Sequence, residues 1–99
     1  MTKVWIVQGT HPAVPGRPMF VCASKEAADR EAAALVAIFC REHDVPLPAA
    51  PHHWQQALHD VQDRIIKDEG IDLDDPDDAE EIGAETGADV WIDEQELIQ

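Results

Sequence analysis

The last third of the chain contains no lysine or arginine. All seven basic side chains lie at or before Lys67, and residues 1–67 also hold seven acidic residues, so this part of the chain is neutral. Residues 68–99 hold the other fourteen acidic residues, and the formal net charge of −14 therefore lies entirely there. Nucleic acid and anionic membranes would both be repelled, so a partner selected by charge is expected to be basic.

Long apolar runs and cysteines are also scarce. No run approaches the ~20 apolar residues of a membrane helix, and the N-terminal residues lack the layout of a signal peptide, so the expected location is the cytoplasm. The two cysteines, Cys22 and Cys40, flank about 16 residues of a predicted helix, which would separate them by ~24 Å. That distance excludes a disulfide between them, and both are expected to be reduced.

Motifs that carry chemistry are absent from the sequence. There is no G-x-S-x-G, no glycine-rich phosphate loop and no H-E-x-x-H, and the single serine, Ser24, is better placed as a helix cap than as a nucleophile. Cys40, His43, His52 and His53 form C-x2-H-x8-H-H, which matches no standard zinc-finger spacing. We therefore expect a protein that is not an enzyme and that uses no metal or cofactor.

Local patterns predict five regular elements. β-branched and aromatic residues favour strands over 3–8, 19–22 and 88–94, and apolar spacing favours helices over 25–43 and 51–69. Ser24 can cap the first helix and Gly70 can end the second. A short acidic helix over 76–85, capped by Asp75, is an additional alternative.

These elements predict an α+β fold of order ββααβ, with two main helices on one face of a three-stranded antiparallel sheet. A chain of 99 residues suits a single domain. Within it we distinguish a neutral body (residues 1–67), an acidic segment (residues 68–88) and a closing core strand (residues 89–94). Because that strand is too apolar to stay in solvent, the acidic segment is expected to be held at both ends.

Alternation along the strands assigns side chains to the two faces of the sheet. If Val4 and Ile6 face the helices together with Val90 and Ile92, then Trp5, Val7 and Trp91 share the opposite face. Such an apolar face is either covered by the long loop or the acidic segment, or it is an interface with a second copy or another protein. The second case would make the protein a structural interaction module, which is the alternative function.

The density of carboxylates in the acidic segment leads to the main functional hypothesis. A folded scaffold that displays them can offer a basic groove the negative field that nucleic acid normally supplies. The competing interpretation is a solvated face that keeps a small protein soluble. The predicted partner-binding residues are Asp72, Asp74, Asp75, Asp77, Asp78, Glu80, Glu81 and Glu85.

In size, one-sided charge and layout, the chain resembles the small acidic inhibitors of anti-CRISPR and anti-restriction type that phages and mobile elements encode. The residues that carry the resemblance are Val4-Trp5-Ile6-Val7, the capped helix start Ser24-Lys25-Glu26-Ala27-Ala28, and Val90-Trp91-Ile92. The resemblance implies a non-enzymatic inhibitor, in a bacterial cell or infected host, that occupies the nucleic-acid site of an immune effector.

Overall fold

The computed structural model describes residues 2–12, 14 and 16–97, and it confirms the predicted α+β class. The strands β1, β2 and β3 form one antiparallel sheet in the order β2-β1-β3, and three helices accompany it. The strands are β1 (Thr2–Thr10), β2 (Met19–Cys22) and β3 (Asp89–Leu97); the helices are α1 (Lys25–Glu42), α2 (Trp54–Glu69) and α3 (Ala79–Thr86). Both outer strands pair with β1, so the first strand of the chain is the centre of the sheet.

Helix α1 forms the middle layer of the protein. It begins where predicted, because the Ser24 hydroxyl accepts a hydrogen bond of 3.1 Å from the Ala27 amide. Its apolar second half needs cover on two sides, and it receives the sheet on one side and α2 on the other. Val36, Phe39 and Cys40 are consequently among the most deeply buried residues.

Helix α2 begins later than predicted and ends as predicted. Pro51–His53 form a 3₁₀ turn, in which the His53 amide bonds to the Ala50 carbonyl at 2.9 Å, and the α-helix starts only at Trp54. At the other end Gly70 adopts a left-handed conformation, with φ of 64°, and its amide bonds back to the Ile66 carbonyl. Glycine takes this conformation without strain, and so the helix stops there.

The structure reverses the predicted assignment of the β1 side chains to the two faces of the sheet. Val7, which pairs with Ile92, is fully buried in the core beneath the helices, and Trp5 packs half-buried on the same core. Val90 and Ile92 face the helices as predicted, and Trp91 alternates to the opposite, outer face. The predicted grouping of Trp5, Val7 and Trp91 on one uncovered face is therefore wrong.

The outer face of the sheet is formed by the row of β1 that was expected to be buried. It carries Val4, Ile6 and Trp91, all half-buried, together with Met19 and Val21 of β2, which are 61% and 64% exposed. Both rows of β1 are equally apolar, so alternation alone cannot choose between them. The choice follows from the partner strands, in which buried Cys22 lies opposite Trp5 and half-buried Ile92 lies opposite Val7.

A buried polar joint fastens the end of α3 and the start of β3 to α2. The Gln62 side chain, only 8% exposed, donates a hydrogen bond of 2.8 Å from Nε2 to the Ala88 carbonyl. The buried Thr86 hydroxyl donates to the Ile82 carbonyl at 2.7 Å and lies 3.3 Å from the Ala88 amide. Among the residues that the structure describes, no buried side-chain nitrogen or oxygen lacks a hydrogen-bond partner, as burial requires.

We expect the Gln62→Met variant to lose stability, because methionine keeps the length of the side chain but cannot donate to the Ala88 carbonyl. The free energy of unfolding should fall by about 1–3 kcal/mol, the usual effect of removing one partner of a buried hydrogen bond. Urea denaturation measures it. The matched control is Gln56→Met on the exposed side of α2, which should stay within about 0.5 kcal/mol of wild type. Equal losses in both variants would contradict the role of the joint.

Candidate acidic binding surface

The acidic segment folds into a loop and a short helix. Residues 71–78 run from Gly70 to the start of α3, and α3 then leads through Gly87, with φ of 69°, into β3. The structure thus contains the alternative third helix, but over Ala79–Thr86 and not over 76–85. Seven of the eight predicted partner-binding carboxylates are exposed, and Glu81 is half-buried.

Glu81 holds the loop in place from within α3. Its carboxylate accepts two backbone hydrogen bonds, from the Asp74 amide at 3.1 Å and from the Asp75 amide at 2.7 Å, one on each oxygen. Hydrogen bonds to an ionised acceptor are stronger than neutral ones. The loop before the helix is therefore folded back onto the helix by one of the segment's own negative charges.

Two further carboxylates set the turn and the helix start. Asp75 Oδ1 accepts from the Asp77 amide at 3.1 Å, and Asp78 Oδ1 accepts from the Glu80 amide at 3.0 Å. Asp78 and not Asp75 is the N-cap, because residues 75–78 form a turn closed by the Asp78 amide and the Asp75 carbonyl at 3.1 Å. Proline after Asp75 suits that turn as well as it suits a helix start.

The remaining five predicted carboxylates do not order the segment through hydrogen bonds. Within residues 2–12, 14 and 16–97 their side chains accept no hydrogen bond and join no ion pair. They are Asp72, Asp74, Asp77, Glu80 and Glu85. The eight predicted residues therefore divide into three that order the segment and five that face solvent with their charge available.

Cations do not compensate this surface in the described part of the chain. The ion pairs join residues of the neutral body, with two exceptions: Asp68, at the first position of the acidic segment, and Glu94 of β3. The pairs are Lys3–Glu94 at 3.4 Å, Lys25–Asp29 and Arg64–Asp68 at 3.1 Å, and His59 Nδ1 lies 3.4 Å from Asp63 Oδ2. The field of residues 72–85 is consequently directed toward solvent.

Asp89, at the start of β3, is the acidic residue on which α3 packs. A Cβ atom at Gly83 would lie 2.9 Å from Asp89 Oδ2, so a larger residue would require the Asp89 carboxyl to move where the helix crosses it. Burial raises the pKa of Asp89 above its ordinary value, and the hydrogen bond from the Val90 amide opposes the rise. Asp89 therefore contributes to packing, whereas the five solvent-facing carboxylates contribute to the surface field.

The residues of the C-x2-H-x8-H-H motif do not come together at one place in the fold. Cys40 is fully buried in the core, and the rings of His52 and His53 lie edge to face, 4.1 Å apart, on the exposed 3₁₀ turn. In the portion of the chain that the structure describes, no group of three or more histidine, cysteine or acidic side chains is arranged to hold a metal ion.

A histidine pair that sequence reasoning missed connects the end of β1 to the end of α1. His11 Nε2 and His43 Nε2 lie 2.9 Å apart, and the His11 ring stacks on Phe39 with ring centres separated by 4.7 Å. One nitrogen must donate and the other accept, so the two facing nitrogens share one proton. Burial and the neighbouring His43 lower the pKa of His11, and Glu42 opposes them. The two histidines are 32 positions apart, so no local pattern could reveal the pair.

We expect the Glu81→Gln variant to loosen the acidic loop without unfolding the protein. Glutamine offers one acceptor oxygen where glutamate offers two, so it cannot hold the Asp74 and Asp75 amides together. Hydrogen exchange of these two amides should become about tenfold faster. The control is Glu80→Gln, which removes the same charge from a side chain without a hydrogen bond and should leave the exchange unchanged. Equal acceleration in both variants would attribute the effect to charge alone.

The histidine pair should make stability depend on pH. The pKa of His11 in the folded state lies below the value near 6.5 of the free side chain, so its contribution is complete above about pH 6.5 and is lost as the pH falls through the folded-state pKa. We expect His11→Phe, which can keep the ring stack on Phe39, to lack this loss. The measurement is the difference in unfolding free energy between wild type and variant from pH 7.5 to about pH 5. A difference that is constant with pH would contradict the assignment, and exposed His59→Phe serves as the control.

Two further observations concern membrane insertion and similarity to known proteins. Among the helices of the described residues, none is long and apolar enough to cross a membrane. Comparisons with protein-family models, with curated proteins and with solved structures gave no match. What this chain binds is therefore inferred from its own residues and geometry.

Proposed function

We propose that this protein is a non-enzymatic binding protein whose acidic segment occupies a basic, nucleic-acid-binding surface of another protein. The observation that carries this proposal is the uncompensated row of exposed carboxylates at residues 72–85, held on a folded scaffold by Glu81, Asp75 and Asp78. Lysine and arginine side chains arranged to bind phosphates would meet a comparable negative field here.

Order distinguishes this surface from an acidic tail. The loop is fastened to α3 by the Glu81 carboxylate, and the segment is closed at its two ends by Gly70 and by the Gln62 joint. A preordered surface loses less conformational entropy on binding than a mobile one, and its charges keep a fixed arrangement. Such a surface favours recognition of a particular pattern of cations over general attraction.

The proposed target class is a bacterial immune effector that binds nucleic acid. The resemblance in size, charge and layout to anti-CRISPR and anti-restriction inhibitors supplies this class, and the charge of −14 supports a basic partner. The protein would act by competition, and neither a cofactor nor a bond-making step is needed.

The alternative of an interaction module is favoured by a different observation. The outer face of the sheet exposes Met19 and Val21 beside half-buried Val4, Ile6 and Trp91, and this apolar surface is interrupted by Gln8 between Met19 and Trp91. A partner bound there would be insensitive to the charges of residues 72–85. The charge variants described next therefore separate the two functions.

We expect the protein to displace a fluorescent DNA duplex from the effector that it inhibits, with a strong dependence on salt. The experiment titrates it against a panel of purified bacterial immune nucleases, each preloaded with the duplex, at about 0.05 M and about 0.3 M salt. Asp72→Asn, Asp74→Asn and Asp77→Asn together should weaken displacement at low salt about tenfold or more, because these side chains face solvent and hold no part of the loop.

The control combines Glu26→Gln, Glu31→Gln and Asp44→Asn, which remove the same charge from the neutral body and should change displacement by less than about twofold. Displacement that is indifferent to salt, or that both triple variants weaken alike, would refute the role of the acidic segment. Displacement that neither triple variant changes would support the interaction module.

A further inference from the structure

Strand β3 is an edge of the sheet over its full length of nine residues. The register shows which of its backbone groups point away from β1. The Gly9 amide bonds to the Pro18 carbonyl at 3.2 Å, so Gly9 directs its backbone polar groups toward the β2 side. Val90 lies opposite Gly9 and therefore directs its own groups to the open edge, and alternation does the same for Ile92, Glu94 and Glu96.

One of these outward donors is already used. The Val90 amide donates to Asp89 Oδ1 at 2.9 Å, which blocks the first position of the edge. The amides of Ile92, Glu94 and Glu96 remain, spaced every second residue along an extended strand. Unpaired backbone groups of this kind are where another chain can add a strand.

A groove of about 390 Å³ runs beside the same edge on the helix side of the sheet. Residues 90–92 and Glu94 form its strand wall, and Trp5, Trp54, Gln55 and Lys25 line the rest. A strand added to β3 would place every second side chain on this side, next to Ile92 and Glu94. The groove can receive one apolar side chain, at the position beside Ile92.

The charges of the edge select the partner. Asp93, Glu94 and Glu96 are exposed within four consecutive positions, and Lys3 of β1 lies 3.4 Å from Glu94 and opposite Glu96 in the register. A second copy of the chain would bring the same carboxylates opposite these, and like charges directly across a strand pair are unfavourable. A segment with lysine or arginine beside them is complementary.

From these observations we propose that the β3 edge binds an extended basic segment of another protein as a fourth strand. The segment places lysine or arginine beside Glu94 and Glu96 on the helix side of the sheet and one apolar side chain, on the same side, in the groove beside Ile92. Its intervening residues are apolar and lie on the outer face. This site is separate from the carboxylates of residues 72–85, and it does not depend on the function proposed for them.

The test uses a nine-residue peptide of alternating lysine and valine with one central phenylalanine and blocked ends. Saturable binding should change the tryptophan fluorescence of the protein, because its three tryptophans all line the groove. Hydrogen exchange of the Ile92, Glu94 and Glu96 amides should slow in the complex. A peptide with proline in place of each valine keeps the charge but cannot pair as a strand. Its affinity should be lower by about tenfold or more.

Protein variants locate the site. Glu94→Gln with Glu96→Gln should weaken binding about threefold or more, whereas Asp72→Asn with Asp77→Asn, which changes the net charge equally, should leave it near wild type. All four side chains are exposed, and circular dichroism checks that both variants remain folded. The proposal is overturned if no saturable binding occurs, if the proline peptide binds as well as its parent, or if the two double variants weaken binding equally.

Discussion

The pairing of β3 with β1 is the interaction on which the rest of the structure depends. Fourteen carboxylates lie in the last 32 residues with no lysine or arginine among them, and their mutual repulsion favours an extended, solvated chain. Nine residue pairs between β1 and β3, with Val90 buried and Ile92 half-buried under the helices, oppose that repulsion. The same pairing makes the first strand of the chain the centre of the sheet and so joins the neutral body to the acidic end.

Closure by β3 changes what the acidic segment can do. Between Gly70 and Ala88, carboxylates accept hydrogen bonds from backbone amides that have no partner in a helix or strand. Glu81 accepts from two amides, and Asp75 and Asp78 accept from one each. Three of the predicted carboxylates therefore order the segment, and the other five face solvent. The strand that closes the segment, β3, is itself an acidic sheet edge beside a groove. The pairing of β3 with β1 therefore produces both surfaces for which we propose partners, the carboxylates of residues 72–85 and the β3 edge.

Local signals predicted the features that depend on neighbouring residues. Ser24 begins α1 and Gly70 ends α2, because a capping hydroxyl and a left-handed glycine act within one helical turn. The α+β class followed from the order of strand and helix patterns. The predicted cap of the short third helix, Asp75, is wrong: residues 75–78 form a turn closed at the Asp78 amide, and Asp78 is the N-cap.

The sequence by itself determined the uneven distribution of charge, the elements and the exposure of the acidic segment, since each depends on composition or on contacts a few residues apart. Tertiary structure alone decided the phase of β1, because Val4 and Ile6 are as apolar as Trp5 and Val7 and the paired strands select between the rows. It also decided which carboxylates hold the loop, and it joined His11 to His43 and Gln62 to Ala88. The last two contacts connect residues 32 and 26 positions apart, and no local pattern encodes a distance that the packing of α1 on the sheet and of α2 on α1 creates.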